Sequence, residues 1–81
     1  MLRTIEVPRD IWPRRTDWVG EVVKVYVKEG EFIRVNDIVA EIEIEKVILR
    51  IESPYSGKVI KVYVKEGDIV KPGTPIIEVE E

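Results

Sequence analysis

With no cysteine and no histidine in its 81 residues, the chain lacks a thiol nucleophile, an imidazole base, a disulfide framework and a zinc site of the common kind. Redox chemistry would have to be carried by a group attached to it. The residue that invites attachment is Lys46. It stands between Ile42-Glu43-Ile44-Glu45 and Val47-Ile48-Leu49-Arg50-Ile51. Ile42 and Ile44 share one face of a strand, and Val47, Leu49 and Ile51 share one face of the next. Keeping both sets inward breaks the phase between Ile44 and Val47, so Glu45-Lys46 becomes a two-residue hairpin tip. Such loops prefer Asn-Gly or Asp-Gly, although a type I turn would accept Glu-Lys. A departure from local turn chemistry marks a place to look for function, here an amine held out in solvent for modification. On hairpin chemistry alone, a solvated turn lysine, one of seven lysines, is the simpler account.

The elements that must hold this tip are strands. Val and Ile supply about a third of the residues, while Leu occurs twice and Ala once. β-Branched side chains suit a pleated, half-buried surface better than a helix. Apolar and polar residues alternate over Val23 to Lys28, Ala40 to Glu45, Val47 to Glu52, Val59 to Lys65 and Ile76 to Glu80, and no 3.6-residue period is long enough for a helix. The chain reads as all-β. Gly30 and Gly67 sit where a hairpin loop needs positive φ, and Asn36 is a residue that tolerates a left-handed backbone. Ser53-Pro54-Tyr55-Ser56-Gly57 forms a longer turn.

These signals repeat. Gly20 to Gly30 recurs as Gly57 to Gly67 at an offset of 37 residues, and Lys24 to Gly30 is identical to Lys61 to Gly67. Two copies are too few for a solenoid. The simpler solution is one domain, residues 1–81, of two β-rich halves packed about a pseudo-twofold. The first half covers about 20–44, the attachment hairpin 42–51 and the second half about 57–81. Thr4 to Val7 would pair as an edge strand, and Pro8 to Asp17 reads as a loop.

Size and charge narrow the function. A domain this small buries only about 60% of the surface of its unfolded chain, which leaves no room for a usual substrate pocket inside a cofactor fold. A stand-alone enzyme is not expected. Thirteen basic against sixteen acidic side chains give a net charge of −3, against a nucleic-acid partner. No run of about 20 apolar residues spans a bilayer, and no signal-peptide pattern opens the chain. A cytoplasmic protein, with neither nucleic acid nor membrane as partner, is the expectation.

The spacing around Lys46 resembles the lipoyl domain of the biotinyl/lipoyl-attachment family over residues 4 to 80. Glu43 stands three residues before the lysine and Glu45 immediately before it. Val47 follows, Ser53-Pro54 stand seven and eight residues after, and Gly57 eleven after. The resemblance implies a flattened β-barrel of two four-stranded antiparallel sheets. It implies lipoate in amide linkage to Lys46, installed by a lipoate-protein ligase or another lipoylating enzyme, with Glu43, Glu45 and Val47 as recognition residues. The arm would carry acyl groups or electrons between the decarboxylase, acyltransferase and dihydrolipoamide dehydrogenase components of a 2-oxo acid dehydrogenase-type complex, so the partners do the catalysis and tethering supplies the effective concentration. No catalytic residue and no metal ligand is expected in the chain itself.

Biotin-carrying relatives place methionine on both sides of the lysine, whereas Glu45 and Val47 flank it here, so lipoate is favoured over biotin. Asn36 replaces a frequent glycine, and Ile48 and Arg50 stand where the family usually shows polar or acidic residues. Two tryptophans lie in the charged N-terminal segment. Trp18 reads as satellite core. Trp12, close to the solvated pair Arg14-Arg15, reads equally as core or as part of the loop by which a decarboxylase recognises its carrier. Two alternatives stay open for the whole: an unmodified domain of this fold used in protein–protein assembly, and a biotin carrier of a carboxylase. Whether the chain is a single-domain carrier or part of a longer one stays open as well.

Overall fold

A computed structural model describes residues 1–12 and 18–81. These residues contain eight strands: β1 (Leu2–Glu6), β2 (Gly20–Val25), β3 (Phe32–Ile33), β4 (Ile38–Ile44), β5 (Val47–Glu52), β6 (Gly57–Val62), β7 (Ile69–Val70) and β8 (Pro75–Glu80). They form two four-stranded antiparallel sheets in the orders β1-β8-β6-β3 and β5-β4-β2-β7. The repeat offset maps β2 onto β6 and β3 onto β7 residue for residue. The offset carries β4 onto β8, and the sheet orders set β1 beside β8 as β5 lies beside β4, so the counterpart of the Glu45-Lys46 tip is the meeting point of the chain ends. There the amide of Glu81 donates to the carbonyl of Met1 at 3.0 Å.

The alternation read in the sequence becomes burial on one face of each sheet. Val22, Ile42, Ile44 and Ile51 from one sheet meet Ile5, Val59, Ile77 and Val79 from the other in a single core. Full burial of each such side chain contributes about 1.5–3 kcal/mol. Register shifts fall between Val22 and Lys24 and between Val59 and Lys61, the same point of the two repeats. An extra residue on one strand bends it and increases its twist, which lets two short sheets wrap around one core.

The glycine turns differ from the expectation in one respect. Gly30 and Gly67 do adopt positive φ, 92° and 94°. They do not close hairpins, however: each passes the chain from one sheet to the other, β2 to β3 and β6 to β7. The amide of Gly30 donates to the carbonyl of Val59 and that of Gly67 to the carbonyl of Val22, so each turn is fastened to the opposite half. The carboxylates of Glu31 and Asp68 close the two turns alike, accepting from the amides of Lys28 and Lys65 at 2.7 and 2.9 Å. Asn36 has φ 76° where the second repeat has Gly73 at 90°, as its side-chain type allows. β1 is an edge strand beginning two residues earlier than expected. Of the loop read over Pro8 to Asp17, residues 13–17, including Arg14-Arg15, lie outside the described residues.

Candidate functional site

Ile44 and Val47 form the last register pair of β4 and β5, which leaves Glu45 and Lys46 as the two residues of the tip. Glu45 has φ 54°. A type I turn has negative φ at both central residues, so the tip is not the type I turn that would accept Glu-Lys. Positive φ at the first central position alone is the sign pattern of type II′, which follows the twist of hairpin strands. The backbone cost of placing a glutamate there is of order 1–3 kcal/mol, and the hairpin tolerates it because its root is tightly held. Ile42 and Ile44 are wholly buried beneath the tip. Beside them Gly20 lets the ring of Trp12 approach: a Cβ on Gly20 would stand 3.1 Å from Trp12 Cη2 and 2.5 Å from Ile42 Cγ2.

Lys46 is exposed and its side chain makes no hydrogen bond or ion pair with any described residue. Glu43, Glu45 and Val47 are exposed on the same hairpin, so the structure brings four of the five sequence-predicted site residues together. Trp12 is the exception. It is only 7% exposed and belongs to the core cluster, so a partner cannot read its ring; it forms the floor of the hairpin instead. Trp18 packs against the core as expected. Val47 shares the phase of Leu49 and Ile51 yet is 45% exposed, because the inward face runs past the end of the core before it reaches the tip.

The remaining features near the hairpin are structural. Arg50, on the outer face of β5, donates from Nε to Glu41 Oε2 at 3.1 Å across the strand pair. Tyr26 lies against the same carboxylate: burial first, and then a hydrogen bond to Glu41, raise the phenol above its ordinary pKa. Sequence neighbours gave no sign of that acid. Ser53 is buried, donates to the Tyr55 carbonyl at 2.6 Å and accepts from the Tyr55 amide at 3.1 Å, so Ser53-Pro54 is a turn lock. An open groove of about 870 Å³ runs between β1, the segment after it, and Arg50–Tyr55, and Lys46 is not among its lining residues. No cluster of three metal-ligating side chains occurs among the described residues, and no helix there is long and apolar enough to cross a membrane.

Register exposes one residue that sequence reasoning passed over. Glu21 of β2 lies directly opposite Glu43. The repeat shows the change of charge, Glu21 corresponding to Lys58, but not the pairing with Glu43.

Comparison with known proteins agrees with this fold. The fold superposes on Kluyveromyces lactis urea carboxylase with a TM-score of 0.78 at 22% identity, covering 99% of this chain and 6% of that one. A single-chain, multi-domain long-chain acyl-CoA carboxylase gives 0.76 at 19% identity, covering 95% of this chain and 7% of that one. The lipoyl domain of the 2-oxoglutarate dehydrogenase complex from Azotobacter vinelandii gives 0.71 at 23% identity, covering 95% and 96%. The chain thus spans a small part of either carboxylase and nearly all of the lipoyl domain. No curated protein matches in sequence. The family model described as "Biotin-requiring enzyme", for biotin/lipoyl attachment, matches residues 15–79. The chain belongs to the biotin/lipoyl attachment domain family.

Proposed function

We propose that this domain is a lipoate carrier, itself non-catalytic, with Lys46 as the point of attachment. The observation that supports it best is an exposed amine, unpartnered among the described residues, at the tip of a two-residue hairpin whose root, Ile42 and Ile44, is wholly buried. A free amine fits a covalent arm: nothing must be displaced to modify it, and the body holds the attachment point still while the arm moves. In attachment by an ATP-dependent ligase, the Lys46 amine attacks the activated carboxyl, the amide C–N bond forms as the C–O bond to AMP breaks, and the amine releases a proton. Bound lipoate supplies the dithiolane for acyl or electron transfer. The chain supplies position, and tethering supplies effective concentration at each partner site.

Lipoate is preferred because Glu45 and Val47, not methionine, flank the lysine. The partners that follow are a lipoylating enzyme and the decarboxylase, acyltransferase and dihydrolipoamide dehydrogenase of a 2-oxo acid dehydrogenase-type complex, in a reducing cytoplasm. A biotin carrier of a carboxylase is the second reading, favoured by the TM-scores of 0.78 and 0.76 to two carboxylases. Parallel reactions with lipoate-protein ligase and with biotin ligase, each with its own cofactor and ATP, separate the two. Lipoylation with little biotinylation is expected; the reverse would establish the second reading.

A further inference from the structure

Each sheet presents one complete cross-strand row on its outer face. In the sheet that carries the hairpin the row is Ile69–Glu21–Glu43–Ile48, running β7-β2-β4-β5. In the other sheet it is Phe32–Lys58–Glu80–Leu2, running β3-β6-β8-β1. All eight residues are exposed. The pattern is the same in both, an apolar residue at each edge and two charges between, with one difference. Lys58 faces Glu80, opposite charges across a strand pair, whereas Glu21 faces Glu43, like charges in the position where repulsion is strongest.

The fold does not ask for that repulsion. Position 58 is the repeat mate of position 21, and a lysine stands there without disturbing the strand. The Glu21–Glu43 row is also immediately next to the Ile44–Val47 pair that ends at the tip. An enzyme that acts on the Lys46 amine must bring its own surface to within one lysine side chain of the hairpin, so it covers this row. Enzymes that act on the far end of an attached arm reach it an arm's length from the hairpin, so they are not obliged to cover this row. Ile48 at 47% exposure and Ile69 at 62% offer such a partner apolar contacts on both sides of the two carboxylates.

We infer that the outer face of β7-β2-β4-β5 at its hairpin end is the docking surface for the attaching enzyme, which meets it with a basic face flanked by apolar contacts. Glu21 is its specificity residue. The inference rests on the reading of Lys46 as the attachment point. Exposed charges at an interface act chiefly on encounter rate and its salt dependence.

The test is the kcat/KM of attachment by lipoate-protein ligase on wild type, Glu21→Lys, Glu21→Gln and Lys58→Glu, each with a thermal melt. Glu21→Lys is expected to lower kcat/KM about tenfold, mostly through KM, as reversal of an interface charge would. It should melt at or above the wild-type temperature, because it restores the opposite-charge pair. Glu21→Gln should fall between. Lys58→Glu should melt a few degrees lower and keep kcat/KM within about twofold, since its row lies on the sheet without the hairpin. Raising the salt should slow wild type more than Glu21→Lys. Attachment to Glu21→Lys at the wild-type rate and salt dependence would overturn the inference while leaving Lys46 as carrier. A wild-type chain that takes up no group from lipoate-protein ligase or from biotin ligase overturns the carrier reading, and the docking surface with it.

Discussion

The root of the hairpin can be probed with a single methyl group. Gly20→Ala introduces a Cβ 2.5 Å from Ile42 Cγ2 and 3.1 Å from both Ile44 Cγ1 and Trp12 Cη2. Ordinary contact begins near 3.4 Å, so the overlap with Ile42 approaches one ångström. None of these neighbours can swing into solvent: both isoleucines are wholly buried and Trp12 nearly so. Overpacking of this kind costs about 1–3 kcal/mol. Against it, alanine at a backbone position it can adopt regains about 0.4–1 kcal/mol by restricting the unfolded chain. The net loss is about 1–2 kcal/mol, and a domain of this size loses about 4–8 °C in Tm for each kcal/mol. Thermal unfolding followed by circular dichroism, with a urea titration to give the free energy, should therefore show a drop of about 5–15 °C with little change in m-value. A variant that melts at or above wild type would refute the packing of Trp12 and Ile42 on Gly20, and with it the account of how the tip is held.

Gly30→Val and Gly67→Val should each lower stability by about 1 kcal/mol or more in urea unfolding, since β-branched residues resist the φ of 92° and 94° found there; neutral effects at both would mean that the turns differ from those described. Ser53→Ala leaves the Tyr55 amide without its 3.1 Å acceptor and should cost about 1–3 kcal/mol in the same measurement, whereas an unchanged midpoint would remove Ser53 as the lock of its turn. Glu21→Lys should leave the melting temperature level or raise it while slowing attachment, the combination that distinguishes a docking residue from a structural one.

Much of the architecture was legible because its signals are local and doubled. Period-two alternation of Val and Ile fixes which faces are buried, and the identity of Lys24–Gly30 with Lys61–Gly67 announces two related halves. What escaped depends on contacts between distant segments. β3 and β7 have two residues each, too short to show alternation, so the passage of the chain between sheets at Gly30 and Gly67 was not visible. Trp12 stands in a charged, proline-containing segment with no period, and its burial is decided by Gly20 and Ile42. The left-handed φ of Glu45 is imposed by the twist of the strands it joins, against its own preference. Glu21 needed the register of β2 on β4 before it could be seen beside Glu43.

The decisive measurement is the intact mass of the purified chain after incubation with lipoate-protein ligase, lipoate and ATP, beside Lys46→Ala treated in the same way. Lys46 is exposed and its side chain makes no hydrogen bond or ion pair with a described residue, so the variant should melt with wild type. Wild type should gain one lipoyl group and Lys46→Ala none. No gain by wild type, with a biotin ligase also tried and the lipoate ligase shown active on another acceptor, would contradict the assignment and leave Lys46 a turn residue of an assembly domain; an equal gain by Lys46→Ala would contradict it by placing the attachment elsewhere.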